Sequence, residues 1–277
     1  MEADSALAAQ WETIAPHLPG ALSGGLRPGA GPAAGVLPHR MSAKDARRVL
    51  NARLHLLHVN YGALCLHAVA LRRPSDGQSV LLLGGHGAGK TLVALALVHR
   101  GWQVLAGDVT LLDVSGAHPA PRVLGGTTAF LARRAPTRRW FPDLVLPQSA
   151  GDRVDLGHLA GTQTAPAGTQ PVTVAAVVDV DGDPCARQGV VEVLDTHTAA
   201  TVWWRASGHL LERLLDDSPM VLRQFEDAPA AERRQERVRA LAGALALHTV
   251  WGAPQAIASR IEDLADTTSP TPTMEVR

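Results

Sequence analysis

A glycine-rich loop with a lysine and a threonine carries the clearest chemistry in this chain. The run VLLLGGHGAGKT fills all four fixed positions of the phosphate-binding pattern G-x-x-x-x-G-K-[ST]. Glycines let a backbone approach a phosphate closely with its N–H groups pointing inward, where a Cβ would obstruct the approach. Lys90 is expected to contact the β- and γ-phosphates of a nucleoside triphosphate, and the Thr91 hydroxyl to bind Mg²⁺. The predicted nucleotide contacts are Gly84, Gly85, His86, Gly87, Ala88, Gly89, Lys90 and Thr91.

The segments on either side of this loop predict the elements that must position it. Val80 to Leu83 is an apolar run typical of a buried strand, and LVALALVHR, from Leu92 to Arg100, has the composition of a helix. The loop would then precede a helix N-terminus, whose dipole favours anions. This order of strand, loop and helix predicts a site for ATP and Mg²⁺.

An acidic residue ends the next predicted strand. Asp108 closes the run VLAGD, 18 residues after Lys90, which is room for one helix and one strand. In phosphate-loop proteins an acid at this place holds Mg²⁺ directly or through water. The short spacing fits poorly with transporter-type ATPases, which insert a subdomain between the two motifs.

The composition excludes several classes of protein. The 277 residues include 26 basic and 26 acidic side chains, so no excess of charge points to nucleic acid or to an anionic membrane. Two cysteines are too few for a disulfide framework, and no apolar run reaches the about 20 residues of a membrane helix. The acidic start, MEADSALAAQ, does not look like a secretory signal. We expect a cytoplasmic protein without a nucleic-acid or membrane partner.

The chain divides into three predicted segments. Residues 1–41 are rich in Gly, Pro and Ala and predict an irregular segment, 42–266 a nucleotide-binding domain, and 267–277 a disordered tail. Many strands joined by few helices predict an α/β fold with a mixed sheet flanked by helices. The predicted helices cover 42–57, 92–100, 207–215, 230–249 and 254–265, and the predicted strands cover 61–71, 80–83, 102–108, 110–114, 153–156, 172–180 and 190–194.

The motifs and their flanks resemble the HPr kinase/phosphorylase family, in particular its compact relatives. Members of that family show His-Ala before the phosphate-loop strand and a strand that ends in Ala-Asp-Asp after the loop helix. Here the matching runs are Leu66-His67-Ala68 and Ala106-Gly107-Asp108. The resemblance covers about residues 60–265 and is sharp only from His67 to Asp108. It implies a core similar to that of phosphoenolpyruvate carboxykinase, transfer of a phosphoryl group from ATP to a hydroxyl, and homo-oligomers.

The resemblance also implies roles for the acid pair, and this chain departs from them. In the family one carboxylate takes the proton of the acceptor hydroxyl, its neighbour holds the metal, and the His helps to set their charge. Asp108 and His67 match these positions, whereas Gly107 replaces one acid. Asp108 could hold Mg²⁺ with His67 or His86 as base. It could instead be the base, with Thr91, phosphate oxygens and water around the metal, or the site could bind nucleotide without fast chemistry.

A segment with four arginines, AFLARRAPTRRWFPD, is a further candidate for the site. Guanidinium groups bind phosphate and carboxylate in a bidentate manner. A loop that clamps the γ-phosphate or binds an acidic acceptor is one interpretation, and a solvated surface loop is the other. Arg138 and Arg139 are favoured for the site because Trp140 and Phe141 could anchor them.

The leading hypothesis from the sequence is a kinase that uses ATP and Mg²⁺ to phosphorylate a hydroxyl on a peptide or small metabolite, as in a natural-product or peptide-modification pathway. Its catalytic residues would be Lys90, Asp108 and His67, and its metal ligands Thr91 and Asp108. A small-molecule kinase similar to adenylylsulfate kinase is a weaker alternative. A nucleotide-gated binding module that transfers no phosphate is the alternative that Gly107 keeps open.

Overall fold

A computed structural model describes residues 11–21, 41–148, 151–157, 170–181 and 189–268 of the chain. Most of the predicted N-terminal segment, and the tail after residue 268, lie outside these described residues. The segment boundaries at 41–42 and 266–267 therefore stay predictions. Within the described ranges no helix has both the length and the apolar character needed to cross a membrane.

The described elements follow one another in an irregular alternation of helices and strands. The helices are α1 (Trp11–Ile14), α2 (Ala43–Asn60), α3 (Lys90–Val98), α4 (Arg134–Trp140), α5 (Thr196–Gly208), α6 (Ala228–Ala244) and α7 (Pro254–Thr268), with 3-10 turns at Ala15–His17 and Leu222–Phe225. The strands are β1 (Gly20–Ala21), β2 (Ala63–Leu66), β3 (Val69–Arg72), β4 (Ser79–Leu83), β5 (Gln103–Ala106), β6 (Thr110–Asp113), β7 (Arg122–Gly126), β8 (Leu131–Arg133), β9 (Arg153–Asp155), β10 (Gln170–Val180), β11 (Val190–Val193) and β12 (Leu247–Gly252).

The sheet is built around the long strand β10. Its first residues pair antiparallel with β7, and its later residues pair in parallel with β4 on one side and β12 on the other. From β4 the sheet continues through β3 to β5, and from β7 through β6 to β2, in antiparallel pairings. Strands β8 and β9 form a separate antiparallel pair. The prediction of a mixed sheet flanked by helices is confirmed, and most of its pairings are antiparallel.

Alternating side chains of β4 enter two different hydrophobic cores. Val80 and Leu82 pack in the cluster that includes α3 and α7, whereas Leu81 and Leu83 pack in the cluster that includes α5 and α6. These four side chains are almost fully buried. Because β4 is held from both faces, the loop that leaves its carboxyl end starts from a fixed point.

The predicted helix over 42–57 is confirmed and extends to Asn60. The Ser42 side chain accepts a hydrogen bond from the Asp45 N–H at 3.3 Å, which is the capping contact that the sequence predicts. The fully buried Asp45 carboxylate also accepts from the N–H groups of Asp216 and Asp217 at 2.9–3.1 Å. The start of α2 is thereby joined to a segment 170 residues away, a connection that matters for the site below.

The single strand predicted over 61–71 is wrong, because the chain breaks at His67 and Ala68 into β2 and β3. The His67 N–H donates to the Ala206 carbonyl at 3.0 Å, and the Ala68 N–H donates to Leu66 at 2.8 Å. These bonds turn the chain from one part of the sheet to another. One of the two bonds comes from α5, far along the chain, and no local pattern reveals such a contact.

The helix predicted over 207–215 is also wrong, since α5 covers Thr196–Gly208 instead. Its N-cap is Asp195, whose carboxylate accepts from the N–H groups of His197 and Thr198. Threonine, valine and tryptophan have poor helix propensity, and they conceal this helix in the sequence. The helix predicted over 230–249 ends at Ala244, and β12 takes up its last residues.

Candidate functional site

The loop between β4 and α3 has the backbone that its glycines predict. Gly84 (φ 145°) and Gly89 (φ 88°) adopt a conformation that L side chains rarely take. A Cβ on Gly84 would lie 2.8 Å from the Val178 carbonyl oxygen, and one on Gly89 would lie 2.2 Å from a methyl group of Val180. The Val180 N–H donates to the Ala88 carbonyl at 2.9 Å. The loop is therefore fixed against the end of β10, and only glycine fits at these two positions.

Lys90 opens α3 and folds back over the loop. Its Nζ donates to the carbonyl oxygens of Gly84 at 2.9 Å and Gly85 at 3.3 Å. Burial lowers the pKa of Lys90 to about 8, while the carboxylate of Asp108 acts in the opposite direction. A buried ammonium group that binds only carbonyl dipoles is a strong attractor for an anion. The lysine thus lies where the sequence predicts a phosphate-binding group.

Asp108 lies at the end of β5, in the same pocket as Lys90. Its N–H and that of Val109 both donate to the Thr127 hydroxyl at 3.0 Å, which fixes the turn. The side chain is 53% exposed, so the carboxylate faces the open pocket. The loss of part of its hydration opposes ionisation of Asp108, but contact with His67 and the charge of Lys90 outweigh this loss and hold the pKa of Asp108 below the usual range. Asp108 is therefore ionised at neutral pH.

His67 and a histidine that the sequence analysis missed form a stacked pair beside Asp108. The His67 Nε2 lies 3.5 Å from Asp108 Oδ1, and the ring of His209 stacks on it with centroids 3.7 Å apart and planes 10° from parallel. Burial, followed by the neighbouring His67 and Arg213, lowers the pKa of His209 to about 3. Its Nε2 lies 2.6 Å from a guanidinium nitrogen of Arg213, and because Arg can only donate, the neutral ring accepts there.

Gly107 explains why the acid pair cannot be complete in this fold. A Cβ at this position would lie 2.1 Å from the Ala129 carbonyl oxygen and 2.9 Å from Phe130 Cα. The Gly107 N–H also donates to the Thr127 carbonyl at 2.9 Å. Main chain therefore occupies the space that a second carboxylate would need. Replacing Gly107 with Asp, the obvious way to restore the pair, is not a clean test of activity.

The rest of the pocket is lined by cations from two other elements. Arg133, at the end of β8, lies 3.0 Å from His86 Nε2, and Arg153 opens β9. The arginine can only donate, so His86 Nε2 accepts. Partial burial, followed by the charges of Arg133 and Arg153, lowers the pKa of His86. Among the residues that line this pocket, Asp108 is the sole carboxylate and faces several positive groups.

The structure does not bring Arg138 and Arg139 to this pocket. Both are exposed in the last turn of α4, and Arg139 lies over the ring of its neighbour Trp140. Phe141 is buried, as expected of a residue that anchors this segment. The anchored helix nevertheless places Arg138 and Arg139 on the surface. Arg133, from the same segment, takes the place predicted for them. Arg153 was not predicted because its segment follows about a dozen residues after α4 and carries no recognisable motif.

The residues present fit a magnesium ion that is bound partly by the protein and partly by phosphate oxygens. Mg²⁺ takes oxygen ligands and usually binds through one or two protein groups together with phosphates and water. Thr91, in the first turn of α3, and Asp108 supply such oxygens in one pocket, and the Thr91 hydroxyl donates to the Leu131 carbonyl at 3.2 Å. Among the described residues no cluster of three or more His, Cys, Asp or Glu side chains could bind a metal alone. The donor set therefore suits a nucleotide-bound magnesium rather than a protein-only site.

Comparison with known proteins gives little beyond this geometry. No protein-family model matches the chain, and no curated protein matches it. Among solved structures it is similar to the Hpr(Ser) kinase/phosphatase from Coxiella burnetii, with 13% identity over 73% of this chain and 97% of that one, at a TM-score of 0.32. A TM-score this low does not establish a common fold. The family named from the motifs remains a resemblance.

Proposed function

We propose that the protein binds ATP with Mg²⁺ and transfers the γ-phosphoryl group to a hydroxyl of a peptide or small-molecule acceptor. The observation that carries this proposal is the convergence of Lys90, folded over a glycine loop at the start of α3, and the ionised Asp108 in one open pocket. Phosphoryl transfer depends chiefly on positioning and on charge stabilisation. A phosphate-binding loop, a lysine and one carboxylate supply both.

Each residue of the site has a separate role in the proposed reaction. The N–H groups of the loop and Lys90 bind the phosphates of ATP. Thr91 would hold the magnesium ion together with phosphate oxygens and water, which leaves Asp108 available as a base; the ion supplies further positive charge when bound. The acceptor oxygen forms a bond to the γ-phosphorus as the bond to the ADP oxygen breaks. The proton of the acceptor hydroxyl passes to a base beside it.

Asp108 is the favoured base, and His67 assists it. His86 is disfavoured because its Nε2 accepts from Arg133, and taking a proton there would cost that contact. An aspartate with a low pKa is a weak base. A general base, however, raises the reaction rate by only about 10²–10⁴-fold, and in a loose transition state the acceptor hydroxyl loses its proton late. His209, stacked on His67, fixes the ring that lies against Asp108. It is a positioning residue in this scheme.

A binding module that closes on ATP without transferring phosphate is the second candidate. One observation favours it: main chain fills the place of a second carboxylate at Gly107. Such a module would use the same loop and lysine. Nucleotide binding is therefore common to both candidates, and label transfer separates them.

The experiment compares wild type with Lys90→Ala, using Lys44→Ala as the matched control. Lys44 is exposed, pairs with Asp216 and lies outside the pocket. Loss of a charged hydrogen-bonding group costs about 1.5–3 kcal/mol, so Lys90→Ala should weaken Mg·ATP binding roughly 10- to 100-fold, whereas Lys44→Ala should not. Each protein is then incubated with γ-labelled ATP and an extract of its native cells.

Label on a peptide or metabolite that appears with wild type and Lys44→Ala, and disappears with Lys90→Ala, would support the kinase. Tight nucleotide binding without any label would favour the binding module. Equal nucleotide affinity in wild type and Lys90→Ala would overturn both.

A further inference from the structure

Two arginines in the surroundings of Asp108 have no carboxylate partner among the described residues, and neither lines the pocket that holds the phosphate-binding loop. Arg47 lies on α2, and Arg213 follows α5. The buried Asp45 joins these two elements, since its carboxylate accepts from the N–H groups of Asp216 and Asp217. The same contact fixes α2 beside the segment that carries Arg213.

Both arginines are linked to the surroundings of Asp108, one electrostatically and the other through two histidine rings. Arg47 interacts electrostatically with Asp108 and with Arg213. Arg213 contacts the ring of His209, which stacks on His67 beside Asp108. Arg213 also acts electrostatically on Lys90. The two guanidinium groups therefore add positive charge to the surroundings of Asp108.

The turn at Ala15–His17 contacts the main chain near Gly107. Its Pro16 carbonyl accepts from the Ala129 N–H at 3.0 Å, and Ala129 is the residue that packs against Gly107. His17 is partly buried there, and Arg47, Asp155 and Asp108 all act on it electrostatically. The turn is therefore joined to the main chain that packs against Gly107, next to Asp108 in the sequence.

Arg47 differs sharply from its neighbour Arg48. Arg48 donates to Asp45 at 2.7 Å and to Asp216 at 2.8 Å. Arg47 makes no hydrogen bond and no ion pair within the described part of the chain, and it is only partly exposed. Burial and the charge of Arg48 lower the pKa of Arg47, against the pull of Asp108. A partly desolvated guanidinium without a counter-charge weakens the fold unless an anion joins it.

We propose that Arg47 and Arg213 bind an anionic group of the acceptor, a carboxylate or a phosphoryl group, and thereby hold its hydroxyl at Asp108. This inference rests on the proposed function and names the chemical class of its acceptor. The phosphates of ATP are served separately by Lys90 and the loop. An acceptor without an anionic group would leave both guanidinium groups without a counter-charge.

The test measures anion binding to the full-length protein after Mg·AMP-PNP, a non-hydrolysable nucleotide, has filled the loop. Inorganic phosphate and glutarate are titrated in separate calorimetric experiments, so that the phosphoryl and carboxylate arms are distinguished. Arg47→Gln removes the unpaired charge and should weaken binding of the preferred anion at least tenfold. Arg53→Gln is the matched control: it removes the same charge from the same helix, where Arg53 lies over the ring of Phe225.

Saturable binding of either anion, sensitive to Arg47→Gln and insensitive to Arg53→Gln, is the expected result, and Arg213→Gln should act in the same direction. Nucleotide binding without a second anion site, or a site that Arg47→Gln leaves intact, would overturn the inference while the proposed function stands. Failure of Mg·AMP-PNP to bind would overturn the proposed function and this inference with it. Circular dichroism of each variant checks that the fold is retained.

Discussion

Gly107→Ala is the substitution whose effect the structure defines most directly. The added Cβ would lie 2.1 Å from the Ala129 carbonyl oxygen and 2.9 Å from both the Ala129 carbonyl carbon and Phe130 Cα. Ordinary van der Waals contacts of a Cβ lie at 3.4–4 Å. All three neighbours are main-chain atoms, so no side chain can rotate away. The two segments would have to separate by more than an ångström.

Hydrogen bonds on both segments resist that separation. Gly107 donates to the Thr127 carbonyl, Ala129 donates to Pro16, and Phe130 accepts from Leu156, at 2.8–3.0 Å. Overpacking a tight site costs about 1–3 kcal/mol, and each lost hydrogen bond adds about 1 kcal/mol. We expect Gly107→Ala to lower the free energy of unfolding by at least about 3 kcal/mol. For a chain of this size that corresponds to a fall in Tm of roughly 6–12 °C.

Gly243→Ala supplies a matched control with the opposite sign. Gly243 lies in the last turn of α6, and a Cβ there would meet nothing within 4 Å. The same chemical change should raise stability by about 0.5 kcal/mol, because alanine loses less backbone entropy in a helix. Thermal unfolding followed by circular dichroism measures both variants. A Gly107→Ala protein that melts within 2 °C of wild type, or a Gly107→Asp protein with increased turnover, would refute the packing argument.

Two further predictions concern pH. The pKa of Lys90 is lowered to about 8 in the free protein, and bound phosphates would retain its proton, so that binding of Mg·ATP above pH 8 must take up a proton. The affinity for Mg·ATP should therefore fall between pH 8 and pH 9, by up to about tenfold. Calorimetry on Lys90→Ala should show no such dependence of affinity on pH. His55 is fully buried with neither ring nitrogen hydrogen-bonded in the described structure, and burial lowers its pKa to about 3. The unfolded chain protonates this ring near pH 6.5, so stability should decline as the pH falls below 6.5, by about 2 kcal/mol at pH 5. His55→Leu should remove that loss without lowering stability at pH 7.5. Urea unfolding measures the free energy of unfolding of wild type and His55→Leu at pH 7.5 and pH 5. An equal loss of stability between these pH values in both proteins would contradict the prediction.

The phosphate-binding loop and Asp108 could be predicted because the information is local. A strand, a glycine loop and a helix follow one another in the sequence, and the acid comes one helix and one strand later. Each residue type is required by the conformation or the chemistry of its own position. The positive φ of Gly84 and Gly89 is an example, since the pattern demands glycine where the backbone adopts that conformation.

The other half of the site could not be predicted because distant segments assemble it. His209 directly follows α5, which the His67 N–H contacts at the Ala206 carbonyl, and the sequence did not predict α5. One signal was present: Asp195 followed by Thr198 is a good N-cap pattern, and it marks the true start of α5. No comparable signal marks Arg47, whose isolation depends on a fold that pairs Arg48 with both nearby aspartates.

The glycine at position 107 and the two arginines Arg47 and Arg213 have a common electrostatic consequence. From the sequence, Gly107 is a defect in an acid pair; in the structure, the close approach of Ala129 makes it a packing requirement. A second carboxylate beside Asp108 would offer Arg47 and Arg213 a counter-charge and would repel an anionic acceptor. With main chain in its place, Asp108 alone faces a surface of positive groups. The missing acid and two guanidinium groups that have no carboxylate partner in the described part of the chain therefore favour the same acceptor, one that brings its own negative charge to the site.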